Sequence, residues 1–384
     1  MRILHVVPSY YPAIRFGGPI YSVHGLCNAL AEAGHDVHVY TTSVDGPRDL
    51  DVPLEKEVMV DKVKVRYFQS RHLRRIYWAP AMRCALRQHI EEFDAVHLHS
   101  IFLWPTWVAA RVAHRAHVPY LVAPRGMLVK EMVRMKGWLR KSIWLSLIER
   151  STLEQAAALH ATSDVERDDM RRFSYALPPI CVVPNGVEAP PTPATAPEVA
   201  SNSLLFLGRI SWKKGLDRLI PALRWMPDVT LNVAGNDDEG LLPRLSLIAC
   251  EHGVSDRVRF LGSVTGKAKE ELLCRASILV LPSWNENFGN VVLEALACGR
   301  PVAVTKEVGL AEAVAGARAG IVIPGEAEDM ATALKSLLSD PAELTFMGQR
   351  GRAWVEQTFA WPAVAAQMEA VYRRVSPAAN STTS

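Results

Sequence analysis

The chain alternates short apolar runs with segments whose apolar residues recur at helical spacing, and it does so in two successive series. Runs over Arg2–Val7, Val37–Thr41, Ala95–His99 and Pro119–Ala123 predict strands, the first of them stopped by Pro8. The loop Ser9–Gly18 and a helix from about Pro19 to Gly34 separate the first two, which makes a β-loop-α-β unit of the Rossmann type. Cys181–Val187 reads as a closing strand with an Asn-Gly turn. The Pro-, Ala- and Thr-rich stretch Glu188–Ser203 reads as a linker. A second series follows, with strands at Leu204–Leu207, Val229–Ala234, Val258–Leu261 and Ser277–Leu281 and a helix over Leu216–Leu223. After Pro282 a loop from Ser283 to Asn290 opens a helix carrying Val291, Val292, Leu293, Ala295, Leu296 and Ala297. A last amphipathic helix, about Trp361–Val375, shows Val364, Met368 and Val371 on one face, and Ser376–Ser384 is expected to be a disordered tail.

In an open parallel sheet, ligands bind beyond the carboxyl ends of the strands, so the loops after the strands hold the chemistry. In the stretch from Ser283 to Pro301, Glu286 and Glu294 bracket a loop and a first helical turn. Asn287 and the backbone amides around Phe288, Gly289 and Asn290 sit where that helix begins. Free amides at a helix N-terminus form an anion site. Capping accounts for a carboxylate at Glu286 but not for Glu294, a turn inside the helix, so the stretch reads as a ligand site. The loop Gly208-Arg209-Ile-Ser-Trp-Lys-Lys214-Gly215 puts glycine, a guanidinium fork and an ammonium ahead of a helix, which is chemically a diphosphate cradle. Gly235, Gly262 and the Ser263–Val264 loop are places where a base could rest against backbone. In the first half, Gly17-Gly18 sit just before a helix, where they make either a plain turn or a place for the backbone to approach a ligand closely. The spacing there is not G-x-G-x-x-G, which disfavours a simple NAD-dependent dehydrogenase. His97 and His99 share one face of their strand, and His99 and Arg125 fall at strand ends. No carboxylate or cysteine is spaced to complete a metal site with the two histidines, so a structural or substrate-contact role is the expectation.

Length and charge add two points. At 384 residues the chain is too long for one ordinary core, and 49% hydrophobic with 22% charged residues is a soluble, globular composition. The formal charge of +3 hides an asymmetry: residues 1–184 hold 24 Lys+Arg against 18 Asp+Glu, and residues 185–384 hold 19 against 22. The basic excess is dense over 125–150, where Arg125, Lys130, Arg134, Lys136, Arg140, Lys141 and Arg150 alternate with apolar residues including Trp138 and Trp144. That segment reads either as a basic amphipathic helix on an anionic membrane surface or polyanionic acceptor, or as a core-facing helix with a solvated basic side. No recognition motif accompanies the charge, so no nucleic acid partner is expected. Six cysteines without a CxxC read as buried thiols. No signal peptide and no apolar run of membrane-spanning length are visible, so the expectation is cytoplasmic residence, peripheral on the inner face of the plasma membrane if the basic segment docks there.

Taken together, Gly17-Gly18, Val183-Pro-Asn-Gly186, Arg209 with Lys214-Gly215, and the Glu-x7-Glu pair resemble the retaining glycosyltransferases of family 4, over about 370 residues. The resemblance implies a GT-B fold: two facing Rossmann-like domains with a cleft between them and a C-terminal helix crossing back. The divisions would be 1–187 for the acceptor side, 188–360 for the nucleotide-sugar side, and 361–375 for the returning helix. It also implies that Arg209 and Lys214, beside Gly208, bind the donor diphosphate. Glu286 would contact the donor sugar, with the amides of Asn287, Phe288, Gly289 and Asn290 close by, and Glu294 would hold the ribose. Gly17 and Gly18 would approach the phosphates, and Val264 lies in the expected base region. The implied reaction moves a hexose from a UDP- or GDP-sugar to a lipid-linked or glycan acceptor with retention, without a cofactor. Metal is not expected, since the sole Asp-x-Asp, Asp49-Leu-Asp51, lies far in sequence from the donor residues. The sequence departs from the family in one place: many relatives carry a histidine where this chain has Pro124-Arg125-Gly126-Met127, a variant resembling enzymes of surface-polysaccharide assembly. Arg125 or His99 is then the candidate to take that histidine's role. Two other readings are a nucleotide-sugar epimerase of the same architecture, which would need an acid/base carboxylate pair facing the sugar, and a non-catalytic nucleotide-sugar-binding protein.

Overall fold

A computed structural model of the chain describes residues 1–13, 15, 17–130, 144–190 and 202–376. The centre of the basic segment (131–143), most of the expected linker (191–201) and the expected tail from 377 lie outside the described residues. The chain divides into two compact units, Met1–Gly186 with Trp361–Ser384, and Val187–Ala360.

Unit 1 is built on β1 (Arg2–Ser9), β2 (Asp36–Thr42), a separate hairpin of β3 (Val44–Asp45) and β4 (Arg48–Asp49), β5 (Glu57–Val60), β6 (Val63–Phe68), β7 (Ala95–His99), β8 (Tyr120–Ala123), β9 (Ala158–Ala161) and β10 (Ile180–Val182). The large sheet has the order β10-β9-β8-β7-β1-β2-β6-β5, parallel throughout except for the antiparallel edge pair β5–β6. β1 runs two residues past its expected stop at Val7. The register against β2 shifts between Val6 and Ser9, and that irregularity accommodates Pro8, which has no N–H to give a ladder. After β1, helix α1 (Gly18–Glu32) starts directly behind Gly17, whose φ of 69° lies in the left-handed region.

Unit 2 is a six-stranded, wholly parallel sheet of β11 (Ser203–Leu207), β12 (Thr230–Ala234), β13 (Val258–Gly262), β14 (Ile278–Leu281), β15 (Val302–Thr305) and β16 (Gly320–Ile323). Its order, β13-β12-β11-β14-β15-β16, winds outward in both directions from the β11/β14 boundary. This is the doubly wound arrangement in which the strand order reverses, and the crevice beyond the carboxyl ends at that reversal is where such folds bind ligands. Three helices of unit 2 bear on that crevice: α2 (Leu216–Ala222), α3 (Gly266–Arg275) and α4 (Asn290–Ala297). Phe206, Leu231, Val280, Leu293, Leu296 and Val304 are at most 1% exposed, so the loops project from a dry, fixed platform.

The chain then returns to unit 1 as α5 (Trp361–Val375), which lays Val364, Met368 and Tyr372 into a core with Ile3, Leu26 and Leu30. Its first residue is seated by two absences. A Cβ on Gly25 of α1 would lie 2.1 Å from the Trp361 indole, and one on Gly186 would lie 2.3 Å from it. Only glycine at both positions leaves room for the ring. Among the described residues, no helix is long and apolar enough to cross a membrane.

Candidate active site

The loop after β11 and the loop after β14 meet at the reversal point of unit 2. Gly215 makes the meeting close: its φ is 70°, and a Cβ there would fall 1.9 Å from the carbonyl oxygen of Pro282. The backbones are stitched by Trp284 N–H donating to Lys213 O at 2.7 Å. This contact brings Lys214 Nζ onto Glu286 Oε2 in an ion pair whose side chains are 18% and 19% exposed. Glu286 is held from behind as well: its N–H donates to Glu307 O at 3.1 Å, and its carbonyl accepts from Gly309 N at 2.9 Å. Gly289, at φ 95°, then turns the chain into α4.

The other predicted residues of unit 2 fall around this pair in different ways. Gly208 and Arg209 follow β11 directly. Arg209 is exposed and has no hydrogen-bond or ion-pair partner among the described residues, so its guanidinium is available to a ligand. Phe288 is 4% exposed and packs edge-to-face on Phe359 at 6.4 Å, so its side chain belongs to the core and only its backbone borders the loop. Asn287 stands on the loop, and Asn290 is the first residue of α4. Glu294, the carboxylate that capping could not explain, accepts a 2.7 Å bond from Lys269 Nζ on α3. Val264 is partly buried against the core just after β13, with its backbone in the loop.

Two residues that the sequence did not single out shape the site. Arg218 on α2 lies 3.6 Å from the centroid of the Trp284 ring, and Trp284 Nε1 donates to Asp217 Oδ1 at 3.3 Å. Arg218 is 8% exposed, with Nε and Nη2 buried and unpartnered. It thereby props the first residues of the Glu286 loop from beneath.

In unit 1 the structure joins His99 to Arg125, within a buried polar network. Arg125 Nη2 donates to His99 Nδ1 at 3.1 Å, and Nη1 donates to Asn185 Oδ1 at 2.7 Å. Because a guanidinium only donates, His99 carries its proton on Nε2 and gives it to His5 Nδ1 at 3.0 Å. A second chain starts at Tyr372 of α5, whose hydroxyl donates to His97 Nδ1 at 2.8 Å. His97 Nε2 donates to His160 Nδ1 at 3.2 Å, and His160 Nε2 donates to Val183 O at 2.8 Å. Every imidazole in this scheme is neutral, as burial requires. Desolvation pushes His5 and His160 down to about 3 and holds His97 and His99 well below the usual histidine range. Ring nitrogens of His5, His97 and His99 lie within 4.8 Å of one another, which gives the cluster the spacing of a metal site. Both nitrogens of His97 and of His99 are nevertheless committed to hydrogen bonds, and the Arg125 cation adjoins them. The donor set suits a neutral relay better than a second cation. Gly17 leaves open space: a Cβ there would meet nothing within 4 Å, and Gly18 is the first residue of α1.

Residues 194–354 match the family described as glycosyl transferases group 1, and residues 17–186 match the glycosyl transferase 4-like domain. A glycogen synthase of Mycobacterium tuberculosis is 30% identical over 401 residues, covering 97% of this chain and 94% of that relative. Among solved structures, a sucrose-phosphate synthase from Thermosynechococcus elongatus superposes with a TM-score of 0.78 at 22% identity, over 97% of this chain and 98% of that one. Anabaena Alr3699/HepE, solved in complex with UDP-glucose, superposes with a TM-score of 0.72 at 20% identity, over 97% and 99%.

Proposed function

The chain belongs to the group 1 glycosyltransferases, with the GT-B fold, and from that premise we propose that it is a retaining, metal-independent hexosyltransferase using a UDP- or GDP-sugar. Its acceptor, in this reading, is a lipid-linked or polysaccharide glycan in cell-surface polysaccharide biosynthesis, handled at the cytoplasmic face. The observation that carries the donor half is the Lys214–Glu286 pair at the strand-order reversal of unit 2, with Gly208 close enough that a Cβ there would lie 3.8 Å from Lys214 Nζ and the exposed Arg209 next in the chain. A cation and a carboxylate fixed side by side suit a ligand that is anionic at one end and hydroxyl-rich at the other. The diphosphate goes to Lys214 and Arg209, and the sugar hydroxyls go to Glu286. Glu294 is assigned to the ribose, exchanging Lys269 for the ligand or sharing it.

In the transfer itself, the bond from the anomeric carbon to the diphosphate oxygen breaks as the bond to the acceptor oxygen forms on the same face. The acceptor's proton goes to the departing phosphate. Charge accumulates on that phosphate, and Lys214, held in place by Glu286, stabilises it together with the exposed Arg209. Losing one such group costs on the order of 10²–10³ in rate. The UDP-glucose complex of a protein with the same fold supports a nucleotide-sugar donor. The test is a transfer assay that follows nucleoside diphosphate release from UDP- and GDP-hexoses and reads the anomeric configuration of the product. Retention with the wild type, and loss of turnover in a folded Glu286→Ala variant, is the expected result. Near-normal turnover in that variant, or an inverted product, overturns the assignment.

A further inference from the structure

Arg125 carries a charge that its surroundings do not neutralise. Its two hydrogen-bond partners, Asn185 Oδ1 and His99 Nδ1, are neutral acceptors, and its Nε is buried without a partner. Among the described residues, no carboxylate forms an ion pair with it. Glu166, whose field does reach it, spends both carboxylate oxygens elsewhere: Oε1 accepts from Gly126 N at 2.6 Å, and Oε2 accepts from Thr162 N at 2.7 Å and Thr162 Oγ1 at 2.8 Å. Burial outweighs that field and pulls Arg125 below the usual arginine range. Withdrawing part of a guanidinium from water is unfavourable unless an opposite charge meets it.

The backbone is also arranged around this side chain. Arg125 has φ 55° and Gly126 φ 73°, two successive left-handed residues one position beyond the end of β8, after Pro124, and the first of them bears a side chain that disfavours the conformation. The buried Glu166 pins the turn through Gly126, while His99 and Asn185 aim the fork. A strained turn, two positioning acceptors and an uncompensated cation at the carboxyl end of a parallel sheet are what an anion site requires.

We infer that Arg125 is the anion-binding element of unit 1 and takes a phosphate or carboxylate group carried by the acceptor, with His99 and Asn185 as positioning residues. Naming the ligand the acceptor rests on the glycosyltransferase reading above; the anion site itself rests on unit 1 alone. Thermal unfolding in inorganic phosphate, glucose 6-phosphate and glucose, at ionic strength matched with chloride, tests it. Both phosphates should raise the wild-type midpoint by several degrees and glucose should not. The shift should vanish in Arg125→Met, shrink in Arg125→Lys and Asn185→Ala, and persist in Lys214→Ala. Without anion, Arg125→Met should melt at or above the wild type, because a half-buried charge with no counter-ion has gone. A larger shift with glucose 6-phosphate than with phosphate supports a sugar-phosphate ligand, and equal shifts support recognition of the phosphate alone. The inference is overturned by no shift in the wild type, by a shift lost in Lys214→Ala but kept in Arg125→Met, or by an Arg125→Met protein that melts several degrees low with and without phosphate. If UDP fails to bind the wild type while the phosphate shift survives, the donor reading falls and the Arg125 site stands.

Discussion

Lys214 and Glu286 are 72 residues apart in the chain and form an ion pair where the strand order of unit 2 reverses. Both are about four-fifths withdrawn from solvent, so each depends on the other more than surface charges do. Scanning calorimetry on the wild type, Lys214→Ala, Glu286→Gln and the double variant should therefore be non-additive. The expected coupling is on the order of 1 kcal/mol. Additivity within about 0.3 kcal/mol would mean that the pair does not persist in solution.

The Glu294–Lys269 pair is more open, at 25% and 29% exposed, so it contributes little to the fold. Glu294→Gln should change stability by less than about 1 kcal/mol. Its effect should appear in recognition instead. A hydrogen bond from a ribose hydroxyl to a carboxylate is worth about 1.5–3 kcal/mol, so the preference for UDP over its 2′,3′-dideoxy analogue should fall by roughly tenfold or more. Undiminished discrimination would leave Glu294 as the partner of Lys269 only.

The four imidazoles of the buried polar network make the stability of unit 1 acid-sensitive. In the unfolded chain they take up protons near pH 6.5, while burial keeps His5 and His160 neutral down to about 3 and holds His97 and His99 well below 6.5. The unfolded state thus binds more protons below pH 6.5. Stability is complete above that pH and declines as the pH falls toward 3, by about 1.4 kcal/mol per pH unit for each neutral histidine. The calorimetric midpoint of unit 1 should drop steeply between pH 7 and 5, and less steeply in His160→Gln. A midpoint flat over that range contradicts the relay.

The seat of Trp361 gives a prediction with a built-in rescue. Gly25→Ala places a methyl 2.1 Å from the indole, and overpacking of this kind costs about 1–3 kcal/mol. Shrinking the ring, as in Gly25→Ala with Trp361→Leu, should recover part of the lost melting temperature. If Gly25→Ala alone melts like the wild type, α5 is not seated as described.

Much of this was legible because parallel strands buried on both faces read as continuous apolar runs, as Leu204–Leu207 and Ile278–Leu281 do. β6 carried an alternating signal, with Lys64 and Arg66 between Val63, Val65 and Tyr67. β9 is only Ala-Leu-His-Ala, too short and too small to stand out. The Glu-x7-Glu spacing singled out Glu286 and Glu294, but their partners were not readable. Lys269 looks like any charge on a solvated helix face, and Lys214 reaches Glu286 only because Gly215 lets two loops touch. The histidine cluster was half visible. Alternation put His97 and His99 on one face, but His5 joins them through the β1–β7 register that pairs it with His97, and His160 joins from β9. Arg218 carried no signal at all, since its role depends on a tryptophan 66 positions later.

The most direct measurement is calorimetric titration of UDP, GDP and their hexose conjugates into the wild type, Lys214→Ala and Glu286→Gln. One nucleotide should bind, and its sugar conjugate should bind more tightly. Lys214→Ala should weaken both by about 10–100-fold, the worth of a charge-assisted contact of 1.5–3 kcal/mol. Glu286→Gln should keep the nucleotide affinity and lose the increment due to the sugar. Binding of no nucleotide, or a sugar increment unchanged in Glu286→Gln, would contradict the pair's assignment as the donor site.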